Sequence, residues 1–412
     1  MSVLDVISNP LEAIENQRVK SLVIGLGAGL MLLYIAMIIG IISLPSGDTS
    51  LYAKYASYMW AGHAPYSGFH LEYPPGVIPF IFVAWPIGRL LGSYTVGYFA
   101  ICILAVSLFL AHRNYLGGRR AVITALLLLL PLSQFITGTL DVFSAVTLYV
   151  AVYSLQKRRY DLSALFLAFS TLIKLYPGVC LLGLLWAVPK PRRFRYLLVF
   201  GGILAIVLAP LAIATPHGLF YAFDYHAKRP LEFEASGSAI GFLLHFFGSP
   251  SYSVYTFGSN NIVFSSEHLV RTISTACLFL GLALGTVMAW RHYLRARPAL
   301  LSLIFLLLYL LFFKVGSPQY MIPILFLTPL AASELSPTLY RRLLKRVLIL
   351  AIVVLLLFAT FFDTTLSLGA NETWNLLTVL SLARIIAIVE LLIFSCRCAT
   401  LDKVKVTSGN KG

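Results

Sequence analysis

Asp48 opens the segment Gly47-Asp48-Thr49-Ser50-Leu51-Tyr52-Ala53-Lys54-Tyr55. Wound into a helix, this segment places Asp48, Tyr52 and Tyr55 on one face, because residues three and four apart are neighbours on a helix surface. A carboxylate so placed can take the proton of an acceptor hydroxyl as a general base. At the head of a helix it can equally be a cap, Asp being a favoured first residue. A second set lies in Pro65-Tyr66 and Leu71-Glu72-Tyr73-Pro74-Pro75-Gly76. It reads either as a rigid proline entry to the next helix or as Glu72 and Tyr73 lining a polar pocket that faces Asp48. In Lys174-Leu175-Tyr176-Pro177 a lysine interrupts a long apolar stretch. A charge there is costly unless it is paired, solvated by a cavity or able to snorkel to the interface. Lys314, followed by Ser317-Pro318-Gln319-Tyr320, stands nearer the end of its apolar run, where snorkelling is easier. The last set is Tyr225-His226-Ala227-Lys228-Arg229-Pro230-Leu231-Glu232-Phe233-Glu234-Ala235-Ser236. It mixes cations with carboxylates, as a solvated salt-bridged loop would. In a phosphate or sugar site, Arg229 would be its best phosphate ligand, since the planar guanidinium meets two phosphate oxygens at once.

The elements that must carry these residues are membrane spans. Of 412 residues 59% are apolar and only 11% charged, and the mean hydropathy is +0.87. A soluble domain needs roughly 25% charged residues to cover its surface. Apolar runs at 21–44, 76–91, 94–112, 140–156, 161–188, 196–214, 268–290, 298–313, 320–335, 345–362 and 375–395 account for about 12 transmembrane helices, the run 161–188 turning around at Lys174–Pro177. Hydrocarbon offers no partner to unpaired backbone groups, so the spans are helical and the fold class is an all-α integral membrane protein. The net charge of +15 falls in short clusters between the runs, such as Lys157–Arg159, Lys190–Arg195, Arg291–Arg297 and Arg341–Arg346. That distribution marks cytoplasmic loops and argues against nucleic acid as a partner. It predicts a multi-pass protein of the plasma (inner) membrane with both termini cytoplasmic and the polar residues above on the extracytoplasmic side. The whole chain, 1–412, reads as a single polytopic membrane domain, with a first extracytoplasmic loop at 45–73, a large one at 215–266 and a cytoplasmic tail at 396–412.

The run 121–132 breaks the alternation. If it crossed fully, Lys157–Arg159 would emerge outside, and its 12 or so residues cover only about 18 Å of a core some 30 Å thick. It is therefore expected to be a re-entrant or half-crossing helix ending at Pro131, which leaves Arg113, Arg119 and Arg120 outside, against the charge rule. The five cysteines suggest no disulfide framework.

A sugar linked through its reacting carbon to a lipid phosphate suits these residues. Breaking that bond builds negative charge on phosphate, which Lys or Arg would stabilise. The phosphate leaves without a proton, so one carboxylate is enough. A transporter or lipid-linked sugar flippase is the rival from another class, although such proteins often show two related halves and none is evident here.

The order of Asp48, Tyr52-x-x-Tyr55, Gly62 to Tyr66, Glu72 to Pro75, Lys174 to Pro177, His226-x-x-Arg229 with Ser236, and Ser317 to Tyr320 resembles the GT-C superfamily of membrane glycosyltransferases. More narrowly, it is similar to the polyprenyl-phosphate-mannose-dependent α-mannosyltransferases, phosphatidylinositol-mannoside enzymes among them. That resemblance implies a GT-C fold with short re-entrant or interfacial helices on the extracytoplasmic side, and inverting transfer of a hexose, mannose, to a lipid or glycan acceptor. It implies Asp48 as the catalytic base. On this reading Lys174, Arg229 and Lys314 bind the donor phosphate, and Tyr52, Tyr55, Glu72, Tyr73, Tyr176, His226, Gln319 and Tyr320 line the sugar and acceptor pocket. The partners implied are the polyprenyl-phosphate-sugar donor, the acceptor and membrane lipids, with no cofactor. Two departures stand out. Gly138-Thr139-Leu140-Asp141 replaces a Gly-Gln-x-Asn element, and Asp48 is alone rather than in an Asp-x-Asp pair. A lone carboxylate gives no support to a divalent metal, which needs more oxygen ligands.

Overall fold

The computed structural model describes residues 17–32, 47–291, 297–362 and 370–400. The part of the first span beyond residue 32, residues 292–296 of one basic cluster and the tail from 401 lie outside the described residues.

Asp48 does begin a helix, α2 (Gly47–Trp60), which follows α1 (17–32). Tyr52 is fully buried and Tyr55 nearly so, on the shared face that the spacing predicts. The segment between α2 and the next helix is a tight loop. Tyr66, with φ of 71°, occupies the left-handed region that side chains rarely adopt, and its hydroxyl donates to the Tyr73 carbonyl at 2.6 Å. Pro74 and Pro75 then lead through a short 3-10 turn into α3 (Ile78–Leu91).

The direction of the next segments corrects the sequence reading. Helix α4 (Tyr94–Leu129) packs antiparallel to α1. Asn114 donates to Ser21 at 2.9 Å, and the glycine face of α1, Gly25 and Gly29, lies directly on Ser107 of α4. A methyl group on either glycine would collide with α4, so the two helices approach as closely as small residues allow. At one end of α4 the Tyr98 ring lies 5.2 Å from that of Tyr52; near its middle, His112 meets Tyr149 at 2.9 Å and the Tyr153 ring at 4.6 Å. Residues 94–112 therefore run from the Asp48 end of the bundle toward the Lys157 end, opposite to the direction relative to Asp48 that the sequence reading gives them. Gly118, with φ of 63°, breaks the helix there, and 119–138 returns the chain to the Asp48 end through a 3-10 turn at Leu130–Leu132 and α5 (Ser133–Gly138). Arg113, Arg119 and Arg120 thus join Lys157 at one end. Helix α3 instead folds back on the first turns of α4. Phe80 stacks on Phe143 at 4.0 Å, Trp60 donates to the Phe82 carbonyl at 3.1 Å, and Gly88 abuts Gly97. The segment 119–138 covers the length of bundle that the sequence reading assigned to 76–91.

From there the helices alternate. Helix α6 (Asp141–Gln156) runs away from the Asp48 end and α7 (Tyr160–Ile173) returns, Ser144 and Ser170 bonding between them at 3.1 Å. The turn at 174–180 follows, then α8 (Leu181–Ala187) and α9 (Arg193–Ala214). Helix α10 (Pro216–Lys228) and α11 (Ser238–Phe246) precede two strands, β1 (Ser251–Thr256) and β2 (Ser259–Phe264). The strands are antiparallel with Thr256 opposite Ser259, and Phe257 and Gly258 both have positive φ, the form that suits a two-residue hairpin turn. This short hairpin interrupts a chain that is otherwise mostly helical, consistent with the all-α class expected from the sequence. Helix α12 (Glu267–Arg291), α13 (Pro298–Phe312), α14 (Ile322–Leu327), α15 (Pro337–Phe362) and α16 (Ala370–Thr400) complete the chain.

Among the described residues five helices are long and apolar enough to cross a membrane: Tyr94–Gly138, Lys190–Ala214, Glu267–Arg291, Pro337–Phe361 and Glu372–Thr400. Shorter apolar helices such as Tyr160–Ile173 and Pro298–Phe312 fill the middle of the bundle, where α13 is buried along nearly its whole length. The start of α13 is held by Glu334, whose carboxylate accepts from the amides of Ala299 at 2.9 Å and Leu300 at 3.0 Å and from Gln156 at 2.7 Å. These are otherwise the unpaired donors of a helix start.

Candidate active site

Several separate stretches of chain meet at the end of the bundle where α2 begins. Asp48 enters from α2, half-buried, and its Oδ2 is 3.5 Å from the Tyr52 hydroxyl. Burial holds its carboxyl above the ordinary carboxylate range; the charges of Lys174 and then Arg229 oppose that rise, and the charge of Asp141 adds to it. Lys174 leaves α7 in an extended conformation, because Pro177 prevents the helix from continuing. Its ammonium lies 3.3 Å from Asp141 Oδ2 and 4.9 Å from the centre of the Tyr73 ring. Tyr176 donates to the other oxygen of Asp141 at 3.1 Å. The lysine is therefore paired as its burial demands, which answers the choice between pairing and snorkelling.

Arg229 follows α10. Its Nη2 donates to Glu232 Oε1 at 2.8 Å, while Nε is buried without a partner. Glu232 is almost fully buried and also accepts from the Gly316 amide at 2.7 Å and the Ser317 hydroxyl at 3.0 Å. Its position comes from the strand hairpin. Residues 231–233 lie beside β2, with Ile262 donating to the Leu231 carbonyl at 3.0 Å and Phe233 to that of Asn260 at 2.9 Å. Gly316 presses on the backbone of Glu234 and Ala235, and a side chain there would collide with both. From the far side Arg384, buried within α16, donates to the carbonyls of Glu234 and Gly316, the latter at 3.2 Å. Glu234 is itself pushed up by burial and then by the charge of Glu232.

The remaining predicted residues stand around this centre. The Glu72 carboxyl is raised by burial, against which the nearby Tyr225 hydroxyl and the charge of Arg229 act, and its backbone carbonyl lies 3.1 Å from His226 Nε2; the Tyr225 hydroxyl itself donates to the Phe257 carbonyl. Burial and then the nearby cations Lys174 and Arg229 hold the imidazole down to about 4, so His226 is neutral near pH 7 and is no phosphate cation. Tyr55 lies close to Glu72 and stacks on Phe69 at 5.6 Å, one step out from Asp48. Tyr320 is buried against Tyr176 at 4.7 Å, and Gln319 beside it is half-buried. Lys314 sits behind Arg229 with its ammonium donating to the Ala227 carbonyl at 2.6 Å, and burial lowers it to about 8. A crevice lined by Glu72, His226, Pro74, Pro75, Leu175, Leu219, Ala222 and Phe223 opens next to these groups, its walls apolar apart from the first two.

Asp141 and Arg384 stand at the candidate site without being singled out by motif, and Glu232 is named in its cluster without a role of its own. Asp141 was met only as a mismatch to a motif. The signal is electrostatic: an acid and a base, Asp141 at the start of one apolar run and Lys174 in the middle of another, each needing a partner.

Such a site, a half-buried carboxylate that feels the charges of two cations, each held by its own carboxylate, among phenols, suits proton removal beside a developing negative charge. Residues 70–318, more than half of the chain, match Glycosyltransferase family 87. The chain belongs to that family. A family 87 glycosyltransferase uses a sugar donor and an acceptor, and this membership places the chain among enzymes rather than transporters. The matched region takes in Glu72, Asp141, Lys174, His226, Arg229 and Lys314; Asp48 precedes it, so its part at the site rests on geometry. No curated protein matches the chain.

Proposed function

We propose that this family 87 enzyme transfers a hexose, mannose, with inversion from a polyprenyl-phosphate carrier to an extracytoplasmic lipid or glycan acceptor. The observation that carries the reading is the meeting of Asp48 with Lys174 and Arg229 beside an apolar crevice. Asp48 takes the proton of the acceptor hydroxyl. The hydroxyl oxygen forms the new bond to the sugar carbon while the bond from that carbon to the phosphate oxygen breaks. Its electron pair stays on the phosphate, where Arg229 and Lys174 offset the added charge. No general acid is needed, since phosphate leaves unprotonated. The raised carboxyl of Asp48 favours this role, because a base works best when its proton affinity approaches the operating pH. Tyr52, Tyr55, Glu72, Tyr73, His226, Gln319 and Tyr320 face the sugar and acceptor, while Tyr176 serves by steadying Asp141.

The chain reads as a single domain of 12 crossings in which 119–138 replaces 76–91. That exchange puts Arg113, Arg119 and Arg120 with the other basic clusters, as the positive-inside rule requires. With α3 as an interfacial helix, the termini are cytoplasmic, the site faces outward and the protein belongs to the plasma (inner) membrane.

The test is transfer of radiolabelled mannose from polyprenyl-phosphate-mannose to membrane lipid by the purified protein and its Asp48→Asn variant. Asparagine keeps the size and hydrogen bonding but cannot accept the proton. Loss of roughly 100- to 10,000-fold in rate by a folded variant is the expected size for a general base. Equal transfer by both proteins would remove Asp48 from this role.

A further inference from the structure

Asp141 takes no part in the bond changes above, yet its side chain has no exposed surface, while that of Lys174 keeps 12%. The carboxylate is held by Tyr176 on one oxygen and faces the lysine with the other, at 3.1 and 3.3 Å. Opposite, the Tyr73 ring steadies the ammonium. An ammonium has three N–H donors on a flexible stem, so it can turn toward an arriving anion without a fixed orientation. Lys174 is thus a cation with a resident counter-ion at its back.

We infer that Asp141 competes with the reaction's phosphate for Lys174, reclaiming the lysine between turnovers and loosening the site's hold on the polyprenyl monophosphate product. The inference rests on the glycosyl-transfer reading, because that reading supplies the product. Before transfer the donor phosphate is a diester with one negative charge. When the bond to the sugar breaks, the electron pair adds a second charge. A site that stabilises this second charge also retains the product that bears it. The fixed negative charge of Asp141 opposes that retention. The other charges near it are Asp48 and Glu72, which act in the same sense, and Arg229, which acts against it; the neutral phenols of Tyr73, Tyr176, Tyr309 and Tyr320 close the remaining sides.

The experiment measures binding of a polyprenyl monophosphate to the purified full chain by titration calorimetry. Asp141→Asn keeps the volume and the acceptor for Tyr176 while removing the charge. Its affinity for the monophosphate should rise on the order of tenfold, the scale of one unit charge a few ångströms away at a partly buried site. Lys174→Met alone strands a buried carboxylate, so the Lys174→Met/Asp141→Asn double variant, which has neither charge, is the folded reference. It should bind more weakly than the wild type although its net charge is the same. In turnover, Asp141→Asn should lower kcat and KM together and should be inhibited by product at lower concentration. Unchanged or weaker binding by Asp141→Asn, or a double variant that binds as the wild type does, overturns the inference. If the binding pattern holds but no mannose transfer occurs, the donor assignment fails and the competition stands. If the wild type binds no polyprenyl monophosphate, both fall.

Discussion

Replacing Glu232 should disable the site without touching any group that meets the sugar. The carboxylate receives three hydrogen bonds, from Arg229 at 2.8 Å, the Gly316 amide at 2.7 Å and Ser317 at 3.0 Å, in a nearly water-free position. In Glu232→Ala, Arg229 loses its counter-ion and the Gly316 amide its acceptor. Removing one partner of a buried ion pair costs about 3–5 kcal/mol. Glu232→Gln is milder. An amide oxygen can still receive Arg229 and Ser317, but its NH2 then faces the Gly316 N–H, and one unsatisfied buried donor costs about 1–3 kcal/mol. Lysine would tolerate such a loss better than arginine, whose planar guanidinium must be aimed to meet phosphate. An Arg229 that swings free forfeits about one charge-assisted hydrogen bond to the donor, about 1.5–3 kcal/mol, or roughly 10- to 150-fold in kcat/KM. The assay is steady-state transfer from the lipid-linked donor, with thermal unfolding in detergent to confirm the fold. The loss should be larger for Ala than for Gln. A folded Glu232→Ala enzyme within twofold of the wild type would refute the claim that Glu232 organises Arg229.

Three further outcomes follow from the same geometry. Lys314 is lowered to about 8, so its positive charge is fully present below that pH and is lost as the pH rises through it; kcat/KM for the donor should fall above about pH 8, and Lys314→Arg should move that limb upward in a pH–rate series. Glu234 is buried and pushed up beside Glu232, so Glu234→Gln, which resembles the protonated acid, should keep transfer within a few-fold, whereas Glu234→Lys should abolish folding as judged by size-exclusion chromatography. Glu334→Ala strips the start of α13 of two amide acceptors and should lower stability by about 1–3 kcal/mol in denaturant unfolding while leaving the donor KM unchanged.

Most elements of the fold were legible as apolar runs, and the α2 face of Asp48, Tyr52 and Tyr55 followed from spacing alone. What failed was direction. A run of apolar residues reports length and environment, and 76–91 is as apolar as a span; only its packing on Trp60 and the first turns of α4 shows that it stays at one end. The arginines 113, 119 and 120 carried the correction in the sequence itself, since the charge rule objected to placing them outside. At the candidate site, residues with a local motif can be singled out from sequence, whereas the pairing of residues with distant partners cannot. Asp141 matters through Lys174, Glu232 through Gly316, and Arg384 through Glu234, and no local periodicity encodes such pairs.

Arg384 also bears on how the protein is made. The groups that meet at the site have all been synthesised once residue 320 has left the ribosome. Yet the loop bearing Arg229 and Glu232 and the turn at Gly316 are clasped together from behind by a guanidinium more than sixty residues later. During biogenesis the enzyme therefore passes through a stage in which its reactive groups exist but lack their brace. Insertion of α16 brings a buried arginine that, among the described residues, the carbonyls of Glu234 and Gly316 and the Ser236 hydroxyl are placed to receive. Maturation of the site and retention of the helix that bears Arg384 in the bundle thereby become a single event.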